Sequence, residues 1–378
     1  MLTGETTRPT PVSDMLNQRK TTTSKKQEPQ VPASKHSNIK LGLDVHADTI
    51  VVVRIIENTG PQPAQTFKPD KFLAWAKTQL AIAEEVHSCY EAGPFGFVLH
   101  RQLEALGIRN LVVQPVCLDE HKTGVNHDKS DARELAQRLD RWVAGNPKAL
   151  ATVRVPTPEE EQRRTQTRQR EQLKRELKRL GAQGRSLLLT QGYREKGKWW
   201  TKIRWEALQA SLPTWLIASL DVFRKALECF NELLGQLDLE LRAKSTTPRP
   251  VAMGGLTSEV VDREVGDWNR FNNRRQVGSY TGLCGGISSS GQSHRQLSIT
   301  KHGNVRLRTA LVEMAWRMVR YQPNCPLIKK WKPVLSNVRA TKGAKKKAIV
   351  AIARQLAVDI WRWRTGRITP DQLGWEMV

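Results

Sequence analysis

The sequence predicts an α/β domain followed by all-α structure, and three observations carry that prediction. Between Ile39 and Ala144, short β-branched runs alternate with helical stretches, the pattern of an α/β domain with a largely parallel central sheet. From about Pro156 the pattern turns wholly helical. Within that part Leu216, Leu220, Phe223, Leu227, Phe230, Leu234, Leu237 and Leu241 step alternately by four and three, a heptad seam.

Taken in order, residues 1–38 are rich in Thr, Pro, Ser, Gln and Lys with few large apolar groups, the composition of a disordered tail. The run NIKLGLDVHADTIVVVRII reads as two strands joined by a turn near His46–Asp48. A helix is expected at about Pro69–Ala83, a strand at Glu85–Tyr90, a helix from Gly96 to Leu106, a strand at Asn110–Val116 and a helix from Asp128 to Ala144. Glu159–Leu189 is a charged helix with Leu173, Leu177 and Leu180 on one stripe. Pro213 suits the first turn of the heptad helix. Its regularity favours a projecting helical hairpin or coiled coil that dimerises, over a core helix within one domain. The expected divisions are therefore an α/β domain over 39–155, a coiled coil over 156–246 and a third region over 247–367. That third region opens at Pro248–Pro250 and has a glycine turn at Met253–Leu256. A Ser/Gly-rich loop follows at Gly285–Gln296, then helices at Asn304–Tyr321 and Ala344–Thr365; residues 368–378 read as a tail.

Charge points to the partner. The 378 residues hold 61 Lys+Arg against 37 Asp+Glu, a net of +24, with a pI near 10.2. Such a balance calls for a polyanion, nucleic acid or an anionic membrane surface. Residues 161–204 carry 14 basic against 4 acidic side chains and residues 301–367 carry 17 against 2, so two segments hold nearly all the excess. Blocks of that density repel themselves unless phosphates neutralise them, which favours nucleic acid over a merely solubilising surface. Lys301, Arg306 and Arg308 after the serine loop, and Lys345, Lys346 and Lys347 in the last helix, are the expected phosphate contacts. Trp199, Trp200 and Trp205 lie among Lys196, Lys198, Lys202 and Arg204. They suit stacking on exposed RNA bases or a core at the base of the coiled coil equally well. No apolar run approaches the roughly 18 residues of a spanning helix, and the N-terminus lacks the apolar stretch of a secretion signal. Cys89, Cys117, Cys229, Cys284 and Cys325 lie far apart without metal-ligand spacing, as reduced thiols in a cytoplasmic, nucleoid-associated protein would.

Two groups of residues carry chemistry. Asp44 stands inside a β-branched strand, where a charge is costly without a task. Glu91 ends the strand HSCYEA, and Asp128 and Asp131 share a face at a helix start. Four such carboxylates brought together would repel one another unless a divalent cation bound, and Mg²⁺ is the natural guest because it also takes phosphate oxygens. Asp128 alone could be a helix cap, and Asp48 is either a ligand or a turn residue. In the loop Cys284-Gly285-Gly286-Ile287-Ser288-Ser289-Ser290-Gly291, a serine hydroxyl backed by a basic helix N-terminus could meet a backbone phosphate, although composition alone reads as a linker.

GLDVHAD at Asp44, CYEAGP at Glu91, DKSDARELA at Asp128 and Asp131, MGGLTSEVV, and SSSG followed by ITKHGNVRLRTALVEMAW together resemble the DEDD transposases of the insertion-sequence 110 family. That group includes the pilin-inverting recombinase and the bridge-RNA-guided recombinases. The resemblance runs from Asn38 to about Gly366 and implies a RuvC-like, ribonuclease H-type α/β domain, a coiled coil and a C-terminal transposase domain. It implies that Asp44, Glu91, Asp128 and Asp131 bind Mg²⁺ and that Ser290 is the nucleophile on donor and target DNA. It also implies that serine and acids come from different subunits of a dimer or tetramer, and that a structured guide RNA selects the sites. Cys284-Gly285-Gly286 stands where the family often has proline, and the three serines leave Ser289 as the alternative nucleophile. Two rival readings stay open, a metal-only junction nuclease and a non-catalytic nucleic-acid-binding protein.

Overall fold

The computed structural model describes residues 35–115, 128–245, 247–290 and 293–378, with the backbone alone for Asp128 and Ser290. The expected tail over 1–34 and Cys117 lie outside the described residues. The chain divides into two units, Met1–Val155 and Pro156–Val378.

In the first unit a five-stranded sheet is built from β1 (His36–Val45), β2 (Ile50–Ile56), β3 (Gln65–Phe67), β4 (Ala83–Glu91) and β5 (Arg109–Val113), in the order β3-β2-β1-β4-β5. β1 thus takes in residues 36–38, which composition assigned to the tail. β1 pairs antiparallel with β2 and β2 with β3, while β4 lies parallel to β1 and β5 parallel to β4. The sheet is mixed rather than largely parallel, because the short link from Val45 to Ile50 can only return the chain antiparallel.

Alternation along β1 assigns its faces. Ile39, Leu41 and Leu43 are buried with Phe72 and Ala76 of α1 (Pro69–Ile82) and Leu103 of α2 (Val98–Leu106). Lys40, Gly42 and Asp44 belong to the opposite face, which α3 (Asp128–Val143) covers through Ala132, Leu135, Ala136 and Leu139. Gly42 makes the close approach possible, since a Cβ there would sit 2.2 Å from the Ala132 carbonyl oxygen.

The second unit starts with α4 (Pro158–Thr190), fixed at its first turn by a capping box between Thr157 and Glu160. Then come α5 (Lys202–Gln209) and α6 (Thr214–Ala243). α4 and α6 run antiparallel: Arg170 pairs with Asp238 at one end, and Leu188 is buried with Leu216 and Leu220 at the other. All eight positions of the heptad seam are buried or half-buried. The three tryptophans are core. Trp199 is fully buried, donates to the Gly181 carbonyl at 3.0 Å and fills the space a Cβ on Gly184 would need.

The rest of this unit comprises α7 (Gly255–Val265), α8 (Arg274–Thr281), the hairpin β6 (Gly285–Ser290) and β7 (Ser293–Ile299), α9 (Val305–Tyr321), α10 (Pro326–Leu335), α11 (Lys342–Arg364) and α12 (Pro370–Leu373). Val261, Leu311, Met314, Ile352 and Leu356 form its core. Residues 368–378 are no tail: Trp375 is buried in that core, and Val378 and Arg249 exchange backbone hydrogen bonds. Among the described residues no helix is long and apolar enough to cross a membrane.

Candidate active site and nucleic-acid interface

The acids come to one edge of the sheet by register and helix direction. Leu43 of β1 is paired with Tyr90 of the parallel β4, which sets Asp44 beside Glu91 at the C-terminal ends of neighbouring strands. Both lie on the face of Gly42 and Cys89, the face α3 covers. α3 runs opposite to β1, because Asp140 near its end pairs with Lys40 at 2.8 Å while Ala132 near its start lies over Gly42. Its first turn, with Asp128 and Asp131, is therefore at the Asp44 end. Burial, with the charge of Glu91 added, pushes the Cys89 thiol far above its ordinary value. The Asp44 carboxylate is 3.1 Å from His46 Nε2. Among the described residues no three Asp, Glu, His or Cys groups converge closely enough to hold an ion, the Asp128 side chain standing outside that set. The fit to a cation is thus one of donor chemistry and element placement. Hard carboxylates from two strand ends and a helix start suit Mg²⁺, which keeps several waters. Asp48 lies in the bend between β1 and β2.

The serine segment is a β-ribbon, not a flexible loop. Ser288 pairs with Arg295, Ser289 with His294 and Ser290 with Ser293, with a register shift near Gly285. Ser289 and Ser290 therefore belong to opposite faces of the ribbon. Ser289 Oγ lies 3.0 Å from His294 Nδ1.

At its base the ribbon is clamped. Thr300 N donates to Cys284 O at 2.8 Å and Lys301 N to Gly282 O at 3.1 Å. Lys301 has φ 59 and Gly303 φ 143, and a Cβ on Gly303 would meet Tyr280 O at 2.6 Å. Arg308 donates to both Thr281 O and Lys301 O, at 3.0 and 3.1 Å, so it braces the turn. Arg306 pairs with Glu171 of α4. Burial raises the Glu171 carboxyl, but hydrogen bonds and charge from Arg306 and Arg175 hold it below its ordinary value. Of the six cations expected to meet phosphate, these two have protein partners, whereas Lys301, Lys346 and Lys347 are exposed and Lys345 half-buried.

Behind the clamp is a network that inspection of the sequence missed. Glu264 of α7 is fully buried; Arg168 of α4 donates to both its oxygens at 3.2 Å, and Asn304 donates at 2.8 Å. Asn304 also caps α9, accepting from Leu307 N at 3.0 Å, and Tyr280 OH donates to the Glu264 carbonyl at 2.7 Å. Glu264 thereby ties α7 to α4 and α9 through its carboxylate and to α8 through its main-chain carbonyl. The readable signal was Glu259 and Arg263, an i, i+4 pair on a helix that also buries Val261 and Val265.

Residues 251–328, which include the clamp and the ribbon, match the family model Transposase IS116/IS110/IS902 family. The transposase-designated y4rJ protein of Sinorhizobium fredii is 33% identical over 307 residues, 72% of this chain and 75% of its own. This chain belongs to the IS110 family of insertion-sequence transposases. Two further relatives are 25% identical. The transposase for insertion sequence element IS1533 of Leptospira borgpetersenii is covered over 85% of its length and 74% of this chain. That for IS1111A of Coxiella burnetii is covered over 75% of its length and 71% of this chain. The transposase is a DNA-recombining enzyme, and its substrates are accordingly DNA.

Proposed function

We propose that this transposase cuts and rejoins donor and target DNA through a phosphoserine at Ser290, with a Mg²⁺ site formed by Asp44, Glu91, Asp128 and Asp131. In this reading the first unit is a RuvC-like domain, α4 and α6 form the coiled coil through which copies associate, and residues 247–367 are a separate transposase domain. The observation that supports it most is that Asp44 and Glu91 end neighbouring strands on the face covered by α3, whose first turn carries Asp128 and Asp131, in a chain that also has its serines on a clamped ribbon.

The chemistry closes without a redox partner. Ser290 Oγ forms a bond to the scissile phosphorus while the bond from phosphorus to the leaving deoxyribose oxygen breaks; the serine proton passes to solvent and the leaving oxygen takes one up. A hydroxyl of the other DNA end then attacks the phosphoserine, reforming a phosphodiester and releasing the serine. Mg²⁺ bound by the acids would offset the charge that builds on the phosphoryl oxygens. The four carboxylates must stay ionised for that, and the sheet holds the two strand-end acids rigidly. A structured RNA of the element would choose the sites by base pairing, leaving the protein to hold shape and phosphate. The acids and the serine would come from different subunits of a dimer or tetramer.

The test is a covalent trap. The full chain, with RNA from the element's flank and Mg²⁺, is mixed with labelled donor and target DNA and run on a denaturing gel. A protease-sensitive shifted band is expected, absent in Ser290→Ala and Asp128→Ala and kept in Ser289→Ala. Cleaved DNA without an adduct would make the enzyme a metal-only nuclease.

A further inference from the structure

A cleft of about 1380 Å³ opens in the second unit between the start of α8, one edge of the serine ribbon and α11. α8 brings Arg274 and Arg275 to it, and α11 brings Lys346, Lys347 and Arg354; Arg362 and Arg367 stand at the α11 end. No Asp or Glu lines it, and among the described residues none of these seven cations forms an ion pair. A second cavity of about 970 Å³ is basic too, but Glu171 and Glu313 line it, and its Arg170, Arg175 and Arg306 pair with Asp238 and Glu171. Of these two, the first cleft is the one without a lining carboxylate. Arg274 and Arg275 lie in a stretch, residues 205–300, whose 10 basic and 10 acidic side chains cancel, so the fold rather than the charge count assembles the site.

The lining also includes Leu297 and Ile299 of the ribbon and Val350 and Trp361 of α11. Cations and apolar groups lining one cleft suit a nucleic-acid strand, phosphates toward the cations and sugars toward the apolar groups. Gly285 and Gln296–Ile299 line the cleft at the ribbon's base. At ~3.3 Å per residue, β6 carries Ser290 about 17 Å from that base.

We propose that this cleft holds the backbone of the DNA strand that Ser290 attacks. The proposal rests on the reading that Ser290 acts on DNA. At 3.4 Å per nucleotide along one strand, the held phosphates lie about five nucleotides from the cut. The cleft thereby fixes the register of the scissile phosphate on the ribbon, a positioning role for Arg274, Arg275 and Arg354 with no part in bond making.

The experiment measures salt-dependent affinity of the full chain for a labelled random 30-base-pair DNA duplex, and for an RNA duplex of the same sequence. The triple variant Arg274→Gln/Arg275→Gln/Arg354→Gln removes three exposed cleft charges. Lys329→Gln/Lys330→Gln/Lys332→Gln removes three exposed charges of α10 that line no part of the cleft. Each phosphate contact contributes about −0.9 to the slope of log K against log salt. The cleft variant is expected to flatten that slope by about 2 to 3 for DNA and to weaken binding at least tenfold, with an unchanged melting temperature. The control is expected to change the slope by less than one. Equal effects of the two variants, or a larger loss for RNA than for DNA, would overturn the proposal. Binding needs no covalent step, so a missing adduct beside an intact slope difference would sink the serine chemistry alone.

Discussion

Arg263 and Glu259 are 2% and 7% exposed in their side chains and paired at 2.7 Å, and Arg263 also donates to Arg163 O and Gln166 Oε1. Removing one member of a buried pair leaves the other charge without compensation. Arg263→Leu should therefore cost about 3 kcal/mol in denaturant unfolding, and adding Glu259→Leu should recover part of the loss. Single residues were legible in the sequence where a local pattern marked them, as at Asp44 in its strand or the serines before Gly291. Glu264 was not, because Arg168 lies 96 residues away and Asn304 40, and nothing local shows that three elements converge on it. The tryptophans beside lysines read two ways for a related reason: charge is visible in the chain, but the glycines of α4 that receive the rings are recognised only in three dimensions.

Among the elements, the strand–helix alternation and the heptad seam were legible because each follows from a period that burial imposes. The serine ribbon was not. Its described side chains are largely exposed, from Ile287 and Ser289 to Arg295 and Leu297, so its pairing rests on cross-strand hydrogen bonds and the clamp at Thr300–Gly303 and not on a buried apolar face. The sheet's mixed direction followed from a turn that was itself read correctly but not carried through to the pairing. Element placement also makes a prediction about the acids. Gly42→Ala puts a methyl group 2.2 Å from the Ala132 carbonyl oxygen and 2.3 Å from the Ala136 nitrogen, so α3 must move off β1. The overpacking should cost about 2 kcal/mol. Because α3 carries Asp128 and Asp131, DNA cleavage should fall at least tenfold although every acid is still present, as a cleavage time course on folded protein would register.

On the scale of the whole molecule, the charge is unevenly divided. Residues 1–160 carry 20 basic and 19 acidic side chains, whereas residues 301–367 carry 17 basic and 2 acidic. The sheet that bears the acids thus lies in a nearly neutral stretch, and the serine ribbon is followed by a strongly basic one. That division suits a molecule in which the first unit would supply the acids and the second the serine and the charge that gathers nucleic acid around it. It also suits an assembly in which the two centres of one reaction belong to different copies. The most direct measurement mixes Ser290→Ala and Asp44→Ala proteins, each unable to form the DNA adduct, under conditions of verified subunit exchange. Our account predicts that the mixture regains adduct formation, with the covalent DNA found solely on the Asp44→Ala chain. A mixture that exchanges subunits and stays inactive would contradict a site built from the serine of one copy and the acids of another.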